Sequence, residues 1–422
     1  MKNKQAIVLL FLSNIISGFA QGISMIAIPW YFVNVVSRPS VFTYFYLLIT
    51  FLTLFWGLYA GTIIDRYSRK KVFIYTNLVC GIIIASVSLY GFQIQEVPDY
   101  LVLLVFGLTI FNYNIHYPNL YAFVQEITEK KNYGKLNSYI EVQGQVTSMF
   151  AGAFAAILLS GIKSGDLSFA GIQINIPFTI DSWPIHKIFL MDALTYFAGI
   201  IIFVYIKYVP VLKEETHIGS LLSRLRGGIN YLKSNPSIFI FGSLSYMLFA
   251  FTLVEIHVLL PAYVERFMSE SADVYASAEI FYSVGALISG VLVYRLLSGY
   301  NEYLSIMLLM LFVSIPFLAM SYFNNLALFF TANLLLGITN AGVRILRTTY
   351  LFSHVPNNLI GRAGSVFSSI NIFIRMSLIF LFSLPFFIKE DNIKWGYFIG
   401  FLLIFCTAIL IFYFYKKNKT NL

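Results

Sequence analysis

The sequence predicts an all-α integral membrane protein, with about twelve transmembrane helices arranged as two pseudo-symmetric six-helix bundles. Three observations carry this expectation. Only 11% of the chain is charged while 59% is hydrophobic, against roughly 25% charged in a soluble domain. The apolar residues fall into about twelve runs, each near or above the roughly 20 residues a helix needs to cross a bilayer. Lysine and arginine are abundant in alternate connections only, as membrane topology requires.

The runs cover approximately 6–36, 41–64, 72–92, 98–124, 136–160, 187–209, 236–264, 274–298, 303–322, 325–352, 360–387 and 394–415. The first follows Met1-Lys2-Asn3-Lys4 and continues to about Val36. The apolar core of a cleaved signal peptide is shorter, about 7–15 residues, so this run reads as a retained span. With both termini placed in the cytoplasm, basic residues on that side outnumber those in the outer loops by roughly three to one. The net charge of +9 is thereby a topological signal and not a nucleic-acid footprint.

The chain divides near its middle. Residues 1–209 form the expected N-terminal bundle, 210–235 a cytoplasmic linker, and 236–422 the C-terminal bundle. Within the linker, Leu221, Leu222, Leu225, Ile229 and Leu232 recur at helical spacing with Arg224, Arg226 and Lys233 between them, the pattern of an amphipathic helix in the membrane interface. The outer connection 161–186 contains an alternating stretch, Gly171 to Pro177, which predicts a short strand and hairpin. The end of the second run, Gly61 to Arg66, is matched in the eighth by Gly290 to Arg295, a first sign of an internal repeat. Cys80 and Cys406 lie in apolar runs, without metal-ligand spacing. No phosphate loop or nucleophile triad is present, so neither enzyme chemistry nor a cofactor or metal is expected.

The connection between the second and third runs is Gly61-Thr62-Ile63-Ile64-Asp65-Arg66-Tyr67-Ser68-Arg69-Lys70-Lys71. It closely resembles the signature loop of the major facilitator superfamily, Gly-x3-Asp-Arg-x-Gly-Arg-Arg/Lys, with Ser68 where glycine is usual. A carboxylate at the end of a helix opposes the helix dipole, so Asp65 requires another partner. The resemblance implies that this partner is the start of the eleventh span, and that Arg69 pairs with an acid at the inner end of the fourth, here Glu126. Three further stretches look like the macrolide-efflux and enterobactin-exporter branch: Asp192 to Tyr196, Arg226 to Leu232, and Gly361 to Phe367. The resemblance implies a secondary transporter working by alternating access. Proton-coupled efflux of an amphipathic, siderophore-like or drug-like molecule is the expected activity, and uptake of a small anionic metabolite or siderophore is the alternative. A non-transporting sensor would need a soluble domain or tail. The expected setting is a monomer in a bacterial inner membrane, with both termini cytoplasmic, and with substrate, proton and lipid as its partners.

Polar residues inside spans are costly and mark interior faces. Asn14 and Gln21 share a face of the first span with Gly18 and Gly22. Asn112, His116 and Asn119 do so on the fourth. Asn340, Arg344 and Arg347 do so on the tenth, and Asn371 and Arg375 on the eleventh. The fifth carries Glu141, Gln145 and Ser148. From these come the expected substrate contacts Asn14, Gln21, Asn112, His116, Asn340, Arg344, Asn371 and Arg375. Arg375 lies near mid-span and is the most costly charge, suited to an anionic or acceptor-rich part of the substrate. Glu255, roughly 7–8 Å from the middle of the seventh span, is the expected proton-coupling group, with His257 beside it in sequence; burial disfavours the charged form of such a carboxyl. Gly61, Asp65, Arg66, Arg69, Glu126, Glu141 and Arg347 are the expected cytoplasmic gate.

Overall fold

The structure, a computed structural model, describes residues 3–129, 132–162, 167–169, 172–174, 179–209, 221–297 and 300–420. Lipid supplies no hydrogen-bond partners, so a backbone crossing it must bond to itself, and a helix does this within one segment. Helices stand over all twelve expected runs. They are α1 (Lys4–Val35), α2 (Pro39–Arg66), α3 (Arg69–Ile94), α4 (Asp99–Ile127), α5 (Tyr133–Ser160) and α6 (Ile185–Tyr205), then, after the shorter α7 (Leu221–Ser234), α8 (Pro236–Phe267), α9 (Ala272–Leu297), α10 (Glu302–Tyr322), α11 (Leu326–His354), α12 (Asn357–Phe382) and α13 (Lys394–Thr420). Among the described residues, eleven helices are both long and apolar enough to cross a membrane. The remaining run is covered by α9.

Local chemistry sets the helix ends. Ser68, Asn301 and Asn325 cap α3, α10 and α11, each accepting a backbone N–H of the first turn, from Lys71, Tyr303 and Leu328. Ser68 has φ −63°, a conformation open to any residue, so the serine that replaces the usual glycine suits this position as a cap. Pro39 and Pro236 open α2 and α8, where a missing N–H costs nothing. Between α5 and α6, β1 (Leu167–Phe169) pairs antiparallel with β2 (Ile172–Ile174) in the register Leu167↔Ile174, Ser168↔Gln173, Phe169↔Ile172. The alternating stretch thus forms one strand of the expected small hairpin, with its turn outside the described residues.

The chain forms two compact units, residues 1–37 with 51–217, and residues 38–50 with 218–422. The division falls inside the expected linker, of which 210–220 lie outside the described residues. The assignment of 38–50, the first part of α2, to the C-terminal unit has no counterpart in the hydropathy pattern.

In the N-terminal unit α3 packs on α6, and α1 packs on α4, α5 and α6. A core cluster at one end joins Ala6, Ile7 and Leu10 of α1 to Phe73, Phe123, Leu136 and Phe203, with Phe73 and Phe203 stacked at 4.5 Å. In the C-terminal unit α10 packs on α13, the counterpart of the α3–α6 pair, and α9 packs on α11. Exposed Val79, Ile82 and Leu89 on α3 and Leu308, Phe312 and Ile315 on α10 are apolar side chains suited to lipid.

Two details establish the repeat. Both α1 and α8 end in a π-helical turn, Tyr31–Val35 and Tyr263–Phe267, each two residues after a proline, Pro29 and Pro261. Each is followed by a serine with φ 55°, Ser37 and Ser269. Further on, α6 carries Tyr196-Phe197-Ala198-Gly199 and α13 carries Tyr397-Phe398-Ile399-Gly400. Both tyrosines are fully buried.

The expected interfacial helix is α7, and it is docked within the C-terminal unit. A Cβ on Gly228 would strike the Arg362 backbone of α12, and one on Gly227 would meet the Arg362 side chain at 3.2 Å. Tyr231 also donates to His354 O. Two motifs singled out in the sequence, Arg226 to Leu232 and Gly361 to Phe367, therefore meet.

Candidate polar sites of the two units

In the N-terminal unit four helices assemble the expected polar residues into two chains. Asn14 of α1 donates through Nδ2 to Gln143 Oε1 of α5 at 2.6 Å, and Gln143 donates to Thr147 at 3.3 Å. His116 of α4 lies 2.7 Å from Asn14 Oδ1. A carbonyl oxygen only accepts, so in this arrangement His116 Nε2 carries the hydrogen. Farther along α1, Gln21 donates to the Tyr196 hydroxyl at 2.7 Å, and Asn112 donates to the same oxygen at 3.4 Å. Sequence reasoning placed a stripe on Glu141, Gln145 and Ser148 and missed Gln143 and Thr147. Their i, i+4 spacing, on the face that meets α1, was the available signal. It also missed Tyr196 as a hub, because one tyrosine among 29 carries no pattern.

In the C-terminal unit Arg375 of α12 donates through an Nη to the Tyr46 hydroxyl at 2.8 Å and stands 5.7 Å from the centre of that ring. The His257 ring meets Tyr46 edge-on at 5.4 Å, and Tyr46 is fully buried. Glu255 faces elsewhere: Tyr397 of α13 donates to its Oε1 at 2.8 Å, and among the described residues Oε2 has no hydrogen-bond partner. Glu255 and His257, adjacent in the sequence argument, thus belong to different contacts. Residues two apart in a helix point to nearly opposite sides, and the π-helical turn Glu255–Leu259 keeps that divergence. Asn340 donates to the Tyr282 hydroxyl at 2.7 Å, and half-buried Arg344 lies within charge reach of the same tyrosine. Asn371 is buried, and its Nδ2 lacks a partner among the described residues. Tyr46 was missed because α2 is rich in aromatic residues throughout.

The expected gate residues are dispersed. Arg347 is buried, donates to Ser245 O at 3.0 Å and lies 3.6 Å over the Tyr246 ring, so its charge is satisfied inside its own unit. Glu141 is exposed and accepts from Tyr121 at 2.7 Å. Arg66 stands 5.8 Å over Tyr67. A Cβ on Gly61 would meet no atom within 4 Å. The Asp65 side chain lies outside the described residues. Arg69 and Glu126 converge on Tyr208, whose hydroxyl bonds the side chains of Glu126 and Ser68 beside the Arg69 charge. Burial, reinforced by the Glu126 carboxylate, pushes the Tyr208 phenol up to about 12. Lys70 donates to Val204 O and Ile206 O, both at 2.9 Å, which places a cation at the negative end of α6. Among the described residues no group of three or more metal-ligating side chains occurs.

The sequence matches the Major Facilitator Superfamily over residues 10–375, a stretch that takes in every candidate residue from Asn14 to Arg375. The chain belongs to the major facilitator superfamily. Solved structures of transporters share its fold at identities that speak to fold alone. A bacterial homologue of the iron transporter ferroportin, in an inward-facing state, aligns with TM-score 0.70 and 15% identity over 98% of this chain and 99% of its own. A D-xylose-proton symporter aligns with TM-score 0.69 and 12% identity, over 97% of each chain. A bacterial metal transporter aligns with TM-score 0.64 and 14% identity over 98% of this chain and 99% of its own. No curated protein matches the sequence. As a member of the superfamily the chain is a multi-pass membrane protein built as a transporter of small molecules.

Proposed function

We propose that this protein is a secondary active transporter exporting an amphipathic, acceptor-rich small molecule, siderophore-like or drug-like, in exchange for protons by alternating access. One observation carries the reading: the C-terminal unit holds a cation and an acid, Arg375 and Glu255, each hydrogen-bonded to a tyrosine hydroxyl and not to the other. A charge hydrogen-bonded to a neutral group keeps much of its capacity for a ligand, and intramembrane charges are retained at a cost. Arg375 offers further donors to an anionic or acceptor-rich substrate. Glu255 has one oxygen without a partner among the described residues and is the proton-coupling group. Asn14, His116, Gln21 and Asn112 add neutral donors and acceptors in the N-terminal unit, suited to a polar rim on a largely apolar molecule. The export direction and the bacterial inner-membrane setting rest on the resemblance to the macrolide-efflux and enterobactin-exporter branch.

The test is transport in proteoliposomes containing a pH-sensitive dye, with siderophores and drugs as candidate substrates under an imposed proton gradient. Substrate-dependent proton flux that disappears in Glu255→Gln is the expected result. Flux that survives that substitution unchanged would remove Glu255 from coupling.

A further inference from the structure

Glu255 has a counterpart in the N-terminal unit. Asp192 of α6 is fully buried. Its Oδ2 accepts a hydrogen bond from Ser24 Oγ of α1 at 2.9 Å, and its Oδ1 has no partner among the described residues. No basic side chain pairs with it there. The ionisable groups that face it from the packed helices are Cys80 of α3 and Tyr196, one turn along α6, with Tyr113 of α4 behind them. All three are neutral acids. Among the described residues Ser24 is the donor to the carboxyl group.

A bare carboxylate in such a place costs several kcal/mol, because one hydroxyl donor cannot replace a hydration shell. The place is also connected. Ser24 is one turn from Gln21 on α1, and Tyr196 accepts from both Gln21 and Asn112. The acid therefore sits one helical turn from two proposed substrate contacts. The repeat adds a second argument. Tyr196 and Tyr397 occupy equivalent places in their Tyr-Phe-x-Gly stretches, and each bonds a polar side chain of the helix that opens its unit, Gln21 in one and Glu255 in the other. Where the C-terminal unit carries its acid on α8, the N-terminal unit carries a neutral amide on α1 and its acid one turn away on α6.

We propose that Asp192 is a proton-binding carboxyl group, so that each unit carries a buried acid, Asp192 in one and Glu255 in the other, that gains a proton from water and returns it to water during the transport cycle. Its role in transport rests on the proton-exchange reading above; its binding of a proton does not. Asp192 is a neutral carboxylic acid in the resting protein, with Ser24 bonded to its carbonyl oxygen. Release of the proton leaves a carboxylate that the Ser24 hydroxyl, Tyr196 and Cys80 alone must accommodate, and that strain is relieved only when the neighbourhood of Gln21 and Asn112 changes.

The experiment is infrared difference spectroscopy on the full-length protein in lipid at neutral pH, in light and heavy water, reading the carbonyl stretch of protonated carboxylic acids. The wild type should show two such components. Asp192→Asn should remove one and Glu255→Gln the other. Ser24→Ala should move the Asp192 component to higher frequency, because the carbonyl loses its donor while the proton stays. A spectrum of Asp192→Asn that superimposes on wild type overturns the proposal. Should Asp192→Asn fail to fold, an unmoved spectrum in Ser24→Ala overturns it equally. Proton flux measured on the same variants separates the two readings. An Asp192 component without flux in any variant removes proton exchange and leaves the proton-binding acid. Flux without an Asp192 component does the reverse. With both present, Asp192→Asn should lower the protons moved per substrate.

Discussion

A close backbone approach between α9 and α11 yields a sharp stability prediction. Gly285 of α9 and Gly337 of α11 face each other's helices. A Cβ on Gly337 would lie 2.8 Å from the Tyr282 carbonyl carbon and 3.0 Å from Ala286 N, and closer still to the Tyr282 oxygen. A Cβ on Gly285 would lie 2.9 Å from Ile338 N and 3.0 Å from the Leu334 carbonyl carbon, with the Leu334 oxygen again nearest. Ordinary contact begins at 3.4 Å, and every atom struck is backbone, so no side chain can swing away. Small residues at such crossings let helices pack closely where lipid offers no hydrophobic drive. Alanine at Gly337 forces the pair apart, with an overpacking cost of about 1–3 kcal/mol. A gap of roughly 0.5–1 Å forfeits a quarter to a half of each dispersion contact it opens. Gly61→Ala is the control, with nothing within 4 Å of its Cβ and a gain of about 0.5–1 kcal/mol from helix propensity. Both positions are helical and share that gain, so the two variants should differ by the overpacking cost alone, roughly 1–3 kcal/mol. The double variant Gly285→Ala with Gly337→Ala should cost less than the sum, because one separation relieves both clashes. The assay is reversible denaturant unfolding in mixed micelles. A Gly337→Ala midpoint at or above that of Gly61→Ala would refute the reasoning.

Three further outcomes follow from the sites. Arg375→Gln should fold normally and weaken binding of an anionic substrate by about 30-fold or more, the lower end of the roughly 2–5 kcal/mol lost with one partner of a buried charge contact; equal affinity for anionic and neutral analogues in wild type and variant alike would count against it. Lys70→Met should orphan the Val204 and Ile206 carbonyls and cost about 1–2 kcal/mol, read as faster amide exchange at the end of α6 with exchange in α13 unaltered. Tyr208 stays neutral up to about 12, while an unfolded tyrosine ionises near 10. Its raised value makes its contribution to stability complete below about pH 10 and lost between about 10 and 12. Tyr208→Phe should then lose less stability than wild type across that alkaline window in parallel unfolding titrations, and identical alkaline profiles would exclude the cluster with Glu126 and Ser68.

The candidate residues differ in how far the sequence exposed them. Asn14, His116, Gln21 and Asn112 were legible because polar residues at helical spacing in an apolar run have few explanations, and the structure gathers all four in one unit. Their partners were not. Gln143 and Tyr196 become significant only when α5 and α6 lie against α1, since neither the spacing of Gln143 to Thr147 nor the stretch ending at Tyr196 says which helix it meets. Arg347 shows the opposite failure: a charge read as a gate finds a carbonyl and an aromatic face inside its own unit, because burial depends on the neighbouring helix. Ser68 looked like a departure from a glycine turn, yet its backbone conformation makes it an N-cap.

By itself the sequence determined the membrane class, the twelve runs, the division into halves and the family, since each depends on composition and short-range spacing along one chain. Tertiary structure alone decided that Glu255 bonds Tyr397 while His257 meets Tyr46, that Asp192 is sealed against Ser24, that α7 is docked on α12, and that residues 38–50 belong with the C-terminal unit. A lipid-spanning helix satisfies its own backbone whatever surrounds it, so its existence is a local matter. Which side chains it buries, and against what, is set by helices far away in sequence.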